Sequence, residues 1–231
     1  MTQTKQTPIG KIPENQIYAK VREDIEEQRE FRKRGIERIR TYYSLPEDKR
    51  KEKTGLESSP HEILMERSAN LIFSGFESLE KIQVIGEGEE PFHYIFIGIG
   101  TEVLLKAIIL KEDLDYFIEN IKGEKTLSFN QCKDKLMDLL PENFTLKQAR
   151  RIEDVLELIQ QKRNNLVHLG FHQMEIYRED YQIVDVLEFL FSYFFRENAK
   201  EIIKKLRELK GKGEITSGID YEPMEFSNYG W

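Results

Sequence analysis

Cysteine, proline, glycine and excess positive charge are all scarce in this chain, and each scarcity is informative. The 231 residues include one cysteine, Cys132, so no disulfide can form within the chain. Only 7 prolines and 14 glycines are present, fewer turn residues than a β-rich protein of this length needs. The formal net charge is -7, so the chain as a whole does not attract nucleic acid. Any contact with nucleic acid therefore has to come from a local basic cluster.

Long hydrophobic runs are also missing. The most apolar stretch, residues 94–110, is slightly short for a membrane span and carries Glu102 and Lys106 in its middle. We predict a buried core helix there and no membrane partner. Residues 1–13 are polar and lack the apolar centre of a secretory signal. Together with the single cysteine, this favours an intracellular protein, and we expect cytoplasmic residence.

Helix start signals and apolar periodicity divide most of the chain into helices. Residues 14–43 are densely charged with a thin apolar stripe, which predicts an exposed helix, and 45–58 is predicted to be a charged linker. Ser59 with Glu62, and Thr145 with Gln148, have the spacing of capping boxes that begin helices. Further helices are predicted at about 92–111, 113–120, 128–140, 178–198 and 199–209.

The predicted fold is an all-α antiparallel helical bundle with an extra N-terminal helix. Residues 1–55 form the N-terminal helical extension and linker, 56–210 form the bundle, and 211–231 form an irregular C-terminal tail. Because the helix at 92–111 is apolar nearly all round, we expect it to lie in the middle of the fold.

The helix that begins at Thr145 carries an arginine in its core stripe. Arg163 stands at the missing step of a helical series, and an arginine there is costly unless it is paired or reaches a wet cleft. Asn164 and His168 share a different face, and Lys162 and Asn165 lie alongside. The apolar members of the series are Ala149, Ile152, Leu156, Ile159 and Leu166.

These residue types suit attack of an RNA 2′-hydroxyl on the adjacent phosphate, a reaction that needs no metal. Arginine binds phosphate bidentately, and histidine can move a proton near neutral pH. Asparagine can hold a ribose hydroxyl or orient the imidazole. On an ideal helix, however, Arg163 and His168 project about 140° apart. Either the helix loosens before Gly170, or two copies of the chain pool their residues, and we favour the second.

Arg163-Asn164-x-x-x-His168 late in a helix of an all-α chain resembles the HEPN superfamily (higher eukaryotes and prokaryotes nucleotide-binding). The segment 100–107, with Glu102 and Lys106, is similar to an earlier core helix of that family. The resemblance covers roughly residues 60–200. It implies a helical bundle, commonly dimeric, in which the motifs of two subunits line one cleft. Many members are metal-independent endoribonucleases of toxin–antitoxin or other defence systems.

By that resemblance Arg163 holds the scissile phosphate, His168 is a general acid or base, and Asn164 orients one of them. Glu102 and Lys106 either support the site or neutralise each other within their helix. Lys162 and Asn165 are expected to contact RNA. No metal and no cofactor are expected. The expected partners are RNA, a second copy of the chain, and an antitoxin or nucleotidyltransferase-like protein.

Two other functions stay open on the sequence. The first is a non-catalytic HEPN-like module that dimerises and binds a nucleotide or a protein, which the acidic balance favours. Against it, residues 144–178 carry six basic and four acidic side chains, so local phosphate attraction remains. The second is a structural helical adaptor that uses its charged N-terminal helix. A metal pair at His168 and His172 is disfavoured because Gly170 lies between them.

Overall fold

The computed structural model describes residues 14–85, 93–121, 126–169 and 178–217, and every regular element in these ranges is helical. The predicted all-α class is confirmed. The elements are α1 (Glu14–Ser44), α2 (Glu47–Thr54), α3 (Pro60–Ile85), α4 (His93–Glu112), α5 (Leu114–Glu119), α6 (Phe129–Leu139), α7 (Leu146–Leu169), α8 (Arg178–Phe195), a 3-10 turn (Arg196–Ala199) and α9 (Lys200–Ser217).

Both predicted capping boxes are present, and they set where α3 and α7 begin. Each box satisfies a backbone N–H group that the first turn of a helix would otherwise leave without an acceptor. The backbone N–H of Ser59 donates to Glu62 Oε2 at 2.9 Å, and that of Thr145 donates to Gln148 Oε1 at 2.9 Å. A third box, at Ser128, begins α6.

α4 lies in the middle of the bundle, as expected for a helix that is apolar nearly all round. Two glycines let it approach α3 closely. A Cβ atom added to Gly100 would lie 2.7 Å from Ile72 Cγ1, and one added to Gly75 would lie 2.6 Å from Ile97 Cγ1. These two glycines therefore serve the close packing of α3 against α4.

Among the described residues, α4 is the one helix long and apolar enough to cross a membrane by length and composition. In the bundle, 67% of the most apolar stretch of this helix is buried. Burial against other helices is what a core helix requires, and the prediction of a buried core helix is confirmed.

α3, α6 and α7 pack on α4, while α8 packs on α7 and α9. Apolar faces of α7 and α8 supply much of the remaining core. A fully buried aliphatic side chain stabilises the fold by about 1.5–3 kcal/mol relative to an exposed one. The fully buried members of these faces are Ile152, Leu156, Ile159, Ile183, Val186, Leu187, Leu190 and Phe191.

The predicted linker at 45–58 contains a helix, α2, so that part of the prediction is wrong. Lysine and glutamate in this segment are good helix formers, and a high charge density does not prevent a short helix. Gly55 ends it with a φ of 64°, a left-handed conformation that glycine adopts readily. Arg38 Nε of α1 donates to the Thr54 carbonyl at 2.9 Å, which joins α1 to the end of α2.

α9 continues to Ser217, past Gly211, where the irregular tail was predicted to begin. Gly211 and Gly213 each weaken a helix by about 1 kcal/mol without excluding one. Glu208, Lys210, Lys212 and Glu214 around them are good helix formers, which favours continuation. The predicted tail beyond Ser217 lies outside the described residues.

Candidate functional site

Arg163 lies flat across α4 at Gly98. A Cβ atom added to Gly98 would lie 2.8 Å from the Cδ and 2.9 Å from the Cβ of Arg163. Glycine is therefore what allows the arginine stem to occupy a core-facing position of α7. The Arg163 side chain is 19% exposed, so its charged group is largely removed from water.

Glu102 supplies the partner that a partly buried arginine needs. Arg163 Nη1 donates to Glu102 Oε2 at 2.6 Å, and Lys106 Nζ donates to Glu102 Oε1 at 2.7 Å. Lys106 Nζ also donates to Thr126 Oγ1 at 3.1 Å. One carboxylate thus bridges two cations, and the cluster of Glu102, Lys106 and Arg163 carries a net charge of about +1 when all three groups are ionised.

Asn164 contacts the same guanidinium. Its Oδ1 lies 3.4 Å from Nε and 3.3 Å from Nη2 of Arg163, at the long end of hydrogen bonding. A guanidinium has about five N–H donors, and three of them are engaged in these contacts with Glu102 and Asn164. Two N–H groups of Arg163 therefore have no hydrogen-bond partner among the described residues.

Glu102 is ionised in this setting. Burial raises the pKa of its carboxyl group, but the hydrogen bond and charge of Lys106, followed by those of Arg163, outweigh burial and hold the pKa below its ordinary value. The carboxylate is therefore a fixed negative partner for the two cations at neutral pH, and not a proton donor.

Three neighbours of the cluster were not anticipated. Gly98 lies four residues before Glu102 on the same face of α4, a spacing visible in the sequence. The Arg163 Cζ atom lies 5.7 Å from the centre of the Phe129 ring, a cation–π contact. Thr126 comes from a connection whose approach to α4 no local pattern indicates.

Cys132, the single cysteine, lies on α6 and is fully buried. Burial raises the pKa of its thiol to about 12, with smaller and opposite effects of Lys106 and Glu102. The thiol is neutral at physiological pH and acts as a small apolar residue of the core.

Lys162 and Asn165 lie away from the cluster. Lys162 Nζ donates to the hydroxyl of Tyr94 at 2.9 Å, at the first turn of α4. Asn165 is exposed on α7. The structure thus brings Arg163, Asn164, Glu102 and Lys106 together, while these two residues point elsewhere.

His168 belongs to the last turn of α7, and its side chain lies outside the described residues, as does His172. The helix is regular as far as Leu169. The backbone therefore does not loosen between positions 163 and 168, which lie about 140° apart around the axis of a regular helix. In the described part of the chain, no three histidine, cysteine, aspartate or glutamate residues are grouped as a metal site.

Comparisons with protein-family models, with curated proteins and with solved structures found no match.

Proposed function

We propose that this chain is a metal-independent endoribonuclease of the HEPN type, cytoplasmic, and part of a toxin–antitoxin or other defence system. The observation that supports the proposal is the state of Arg163. Its guanidinium is partly buried, held in place by Glu102 and Asn164, and retains two N–H groups without a partner among the described residues. A rigid cation with N–H groups to spare is suited to bind a phosphate.

In the proposed reaction the RNA 2′-oxygen attacks the adjacent phosphorus. Its proton goes to a general base, the bond from phosphorus to the 5′-oxygen breaks, and a general acid protonates the leaving oxygen. Arg163 stabilises the negative charge that develops on the phosphoryl oxygens, and His168 transfers a proton. The products are a 2′,3′-cyclic phosphate and a 5′-hydroxyl end.

We place this reaction in a cleft between two copies of the chain. Because α7 is regular through Leu169, positions 163 and 168 of one copy lie about 140° apart around the helix axis. In a symmetric dimer the same surface of each copy faces the other, so Arg163 of one copy can meet His168 of the second. The proposed partners are therefore RNA and a second copy, with an antitoxin or nucleotidyltransferase-like protein restraining the activity.

RNA cleavage in the presence of EDTA tests the proposal. Wild type, Arg163→Ala and His168→Ala are compared, with Arg150→Ala as a matched control because Arg150 is an exposed arginine on the same helix. We expect wild type and the control to cleave RNA and leave 2′,3′-cyclic phosphate ends, and both site variants to lose at least a hundredfold in rate, as expected for loss of a general acid–base or charge-stabilising group, about 10²–10⁴. Equal cleavage by all four proteins, or none by the wild type, would contradict it.

The ion pair between Arg163 and Glu102 also favours a second function, a non-catalytic module that dimerises and binds a nucleotide or protein. In that case the pair joins α4 to α7 and has no reacting partner. The RNA cleavage assay separates the two functions, because a non-catalytic module would leave RNA uncleaved in the wild type and in every variant. Arg163→Ala would then still lose stability, which urea unfolding measures.

A further inference from the structure

A second cationic surface lies near the other end of α4. There the Lys111 ammonium donates to the Phe194 carbonyl at 2.6 Å, which places the end of α8 beside the end of α4. A groove of about 630 Å³ follows, between the last turn of α8, the 3-10 turn and α9. Gly98 and Lys111 are separated by about 20 Å of helix, so this groove is distinct from the Arg163 site.

Four cations line the groove in a row: Arg196, Lys200, Lys204 and Arg207. Their spacing of four, four and three residues places the last three on one face of α9. Successive members of the row are therefore separated along the helix by about 4.5–6 Å, at 1.5 Å per residue. Such a row can contact consecutive phosphates of one strand, while a single anion would engage one or two of its members.

Two carboxylates, Glu197 and Glu208, line the groove beside the four cations, so the lining keeps an excess of positive charge. Glu197 forms an ion pair with Lys200, and Glu188 pairs with Arg207 at 2.6 Å. Both pairs are exposed on the basic side, where water and salt keep such pairs weak and exchangeable. Between residues 196 and 210 the chain has six basic and three acidic side chains, although the whole chain is at -7.

The backbone at Arg196 gives an independent reason to assign a role to the groove. Arg196 has a φ of 44°, and it is the one non-glycine residue with a positive φ in the described ranges. Glycine or asparagine adopts this left-handed conformation at lower cost than arginine. Strained backbone conformations of this kind concentrate at binding sites, and the strain therefore favours a binding role for Arg196.

We propose that this groove binds the phosphates of a single-stranded RNA, away from the point of cleavage. The inference rests on the proposed function for the identity of the polymer, and its test does not depend on cleavage. Arginine offers bidentate contacts to phosphate and lysine a mobile point charge, and the row contains two of each. The buried side chain of Ile203 forms part of the floor beneath the cations.

The test is binding of a fluorescent 2′-O-methyl oligoribonucleotide, which has no 2′-hydroxyl and cannot be cleaved, at several salt concentrations. Lys204→Ala and Lys205→Ala form a matched pair of neighbours on one helix. Lys204 lines the groove, whereas the Lys205 ammonium lies over the Phe73 ring at 5.4 Å. We expect Lys204→Ala to weaken binding and to reduce the salt slope of log K by about 0.7, and Lys205→Ala to leave the slope unchanged.

A second variant separates binding from folding. Arg196→Gly removes a cation and relieves the left-handed backbone, so we expect weaker RNA binding together with a raised Tm. Tripolyphosphate is the competitor that distinguishes a strand from a small phosphate ligand. Equal slopes for wild type and both lysine variants, or binding of tripolyphosphate without RNA, would overturn the proposal. RNA binding that depends on Lys204 in a protein that cleaves nothing would support the groove and contradict the nuclease.

Discussion

Arg163 and Gly98 meet so closely that each constrains the other. An added methyl group at Gly98 would fall 2.8 Å from Arg163 Cδ, within the space of the stem. Alanine favours a helix over glycine by about 1 kcal/mol, but overpacking costs about 1–3 kcal/mol. The two effects on the free energy of unfolding oppose each other. We expect overpacking to dominate, because the nearby Arg163 atoms include Cβ and Cγ, which are close to the backbone and cannot move away easily.

We therefore expect Gly98→Ala to lower the free energy of unfolding by up to about 2 kcal/mol and to displace the Arg163 guanidinium. Urea unfolding measures the first effect and RNA cleavage the second. Gly35→Ala is the control, since no atom lies within 4 Å of a Cβ there, and it should stabilise by about 0.5–1 kcal/mol. If Gly98→Ala and Gly35→Ala stabilised the protein equally, Arg163 would not pack tightly against Gly98.

The charge on Glu102 leads to a pH dependence of stability. The pKa of its carboxyl is lowered by folding, so its contribution is complete above the ordinary value of 4.5 and is lost as pH falls through the folded value. We expect Glu102→Gln to unfold more easily at neutral pH, by about 2 kcal/mol, and to lose less stability than wild type on acidification. Urea midpoints measured across the acid range check this. Parallel curves for the two proteins would exclude the carboxylate as the titrating group.

At the scale of elements, a chain of hydrogen bonds fastens the end of α1 to the start of α3. The Tyr43 hydroxyl lies 2.6 Å from His61 Nδ1, and His61 Nε2 lies 3.0 Å from Ser59 Oγ. Ser59 Oγ donates to Glu62 Oε2 at 2.7 Å, inside the capping box. A neutral imidazole completes this chain, since it accepts from Tyr43 and donates to Ser59.

Acid should loosen this fastening. Burial lowers the pKa of His61, with Glu62 and Glu112 opposing and Lys111 and Arg50 reinforcing that direction. A lowered pKa means that stability is complete above the ordinary value of 6.5 and falls as pH drops through the folded value. We expect limited proteolysis within α1 to accelerate below pH 6.5 in wild type, and Tyr43→Phe to be cleaved faster than wild type at neutral pH. Proteolysis rates that do not change with pH would show that His61 does not control the attachment of α1 to α3.

Local patterns predicted the elements well wherever capping and periodicity agree. Ser59 and Thr145 marked true helix starts because a cap needs residues only three positions apart. The segment at 47–54 was misjudged because high charge density was taken as a linker signal, although its residues favour helix. The end of α9 was misjudged because glycine weakens a helix gradually and does not set a boundary.

At the scale of the whole molecule, the sequence indicated the candidate site but not the contacts that its residues make. The phase of Arg163 in the α7 stripe showed that it needed a partner. The partner is Glu102, 61 positions earlier in the chain. This pairing depends on how α4 and α7 cross, and no local sequence pattern encodes that crossing. The same holds for the cation row, since Arg196 joins it through a 3-10 turn with an unusual backbone.

The central claim is that Arg163 and His168 act together across two copies of the chain. Subunit mixing tests it most directly: Arg163→Ala and His168→Ala proteins, each inactive alone, are unfolded, combined in equal amounts and refolded, and RNA cleavage is measured. Half of the dimers are then mixed, and each mixed dimer holds one intact pair, so we expect about a quarter of wild-type activity. If the mixture stays as inactive as its components while mixed dimers form, the shared site is contradicted.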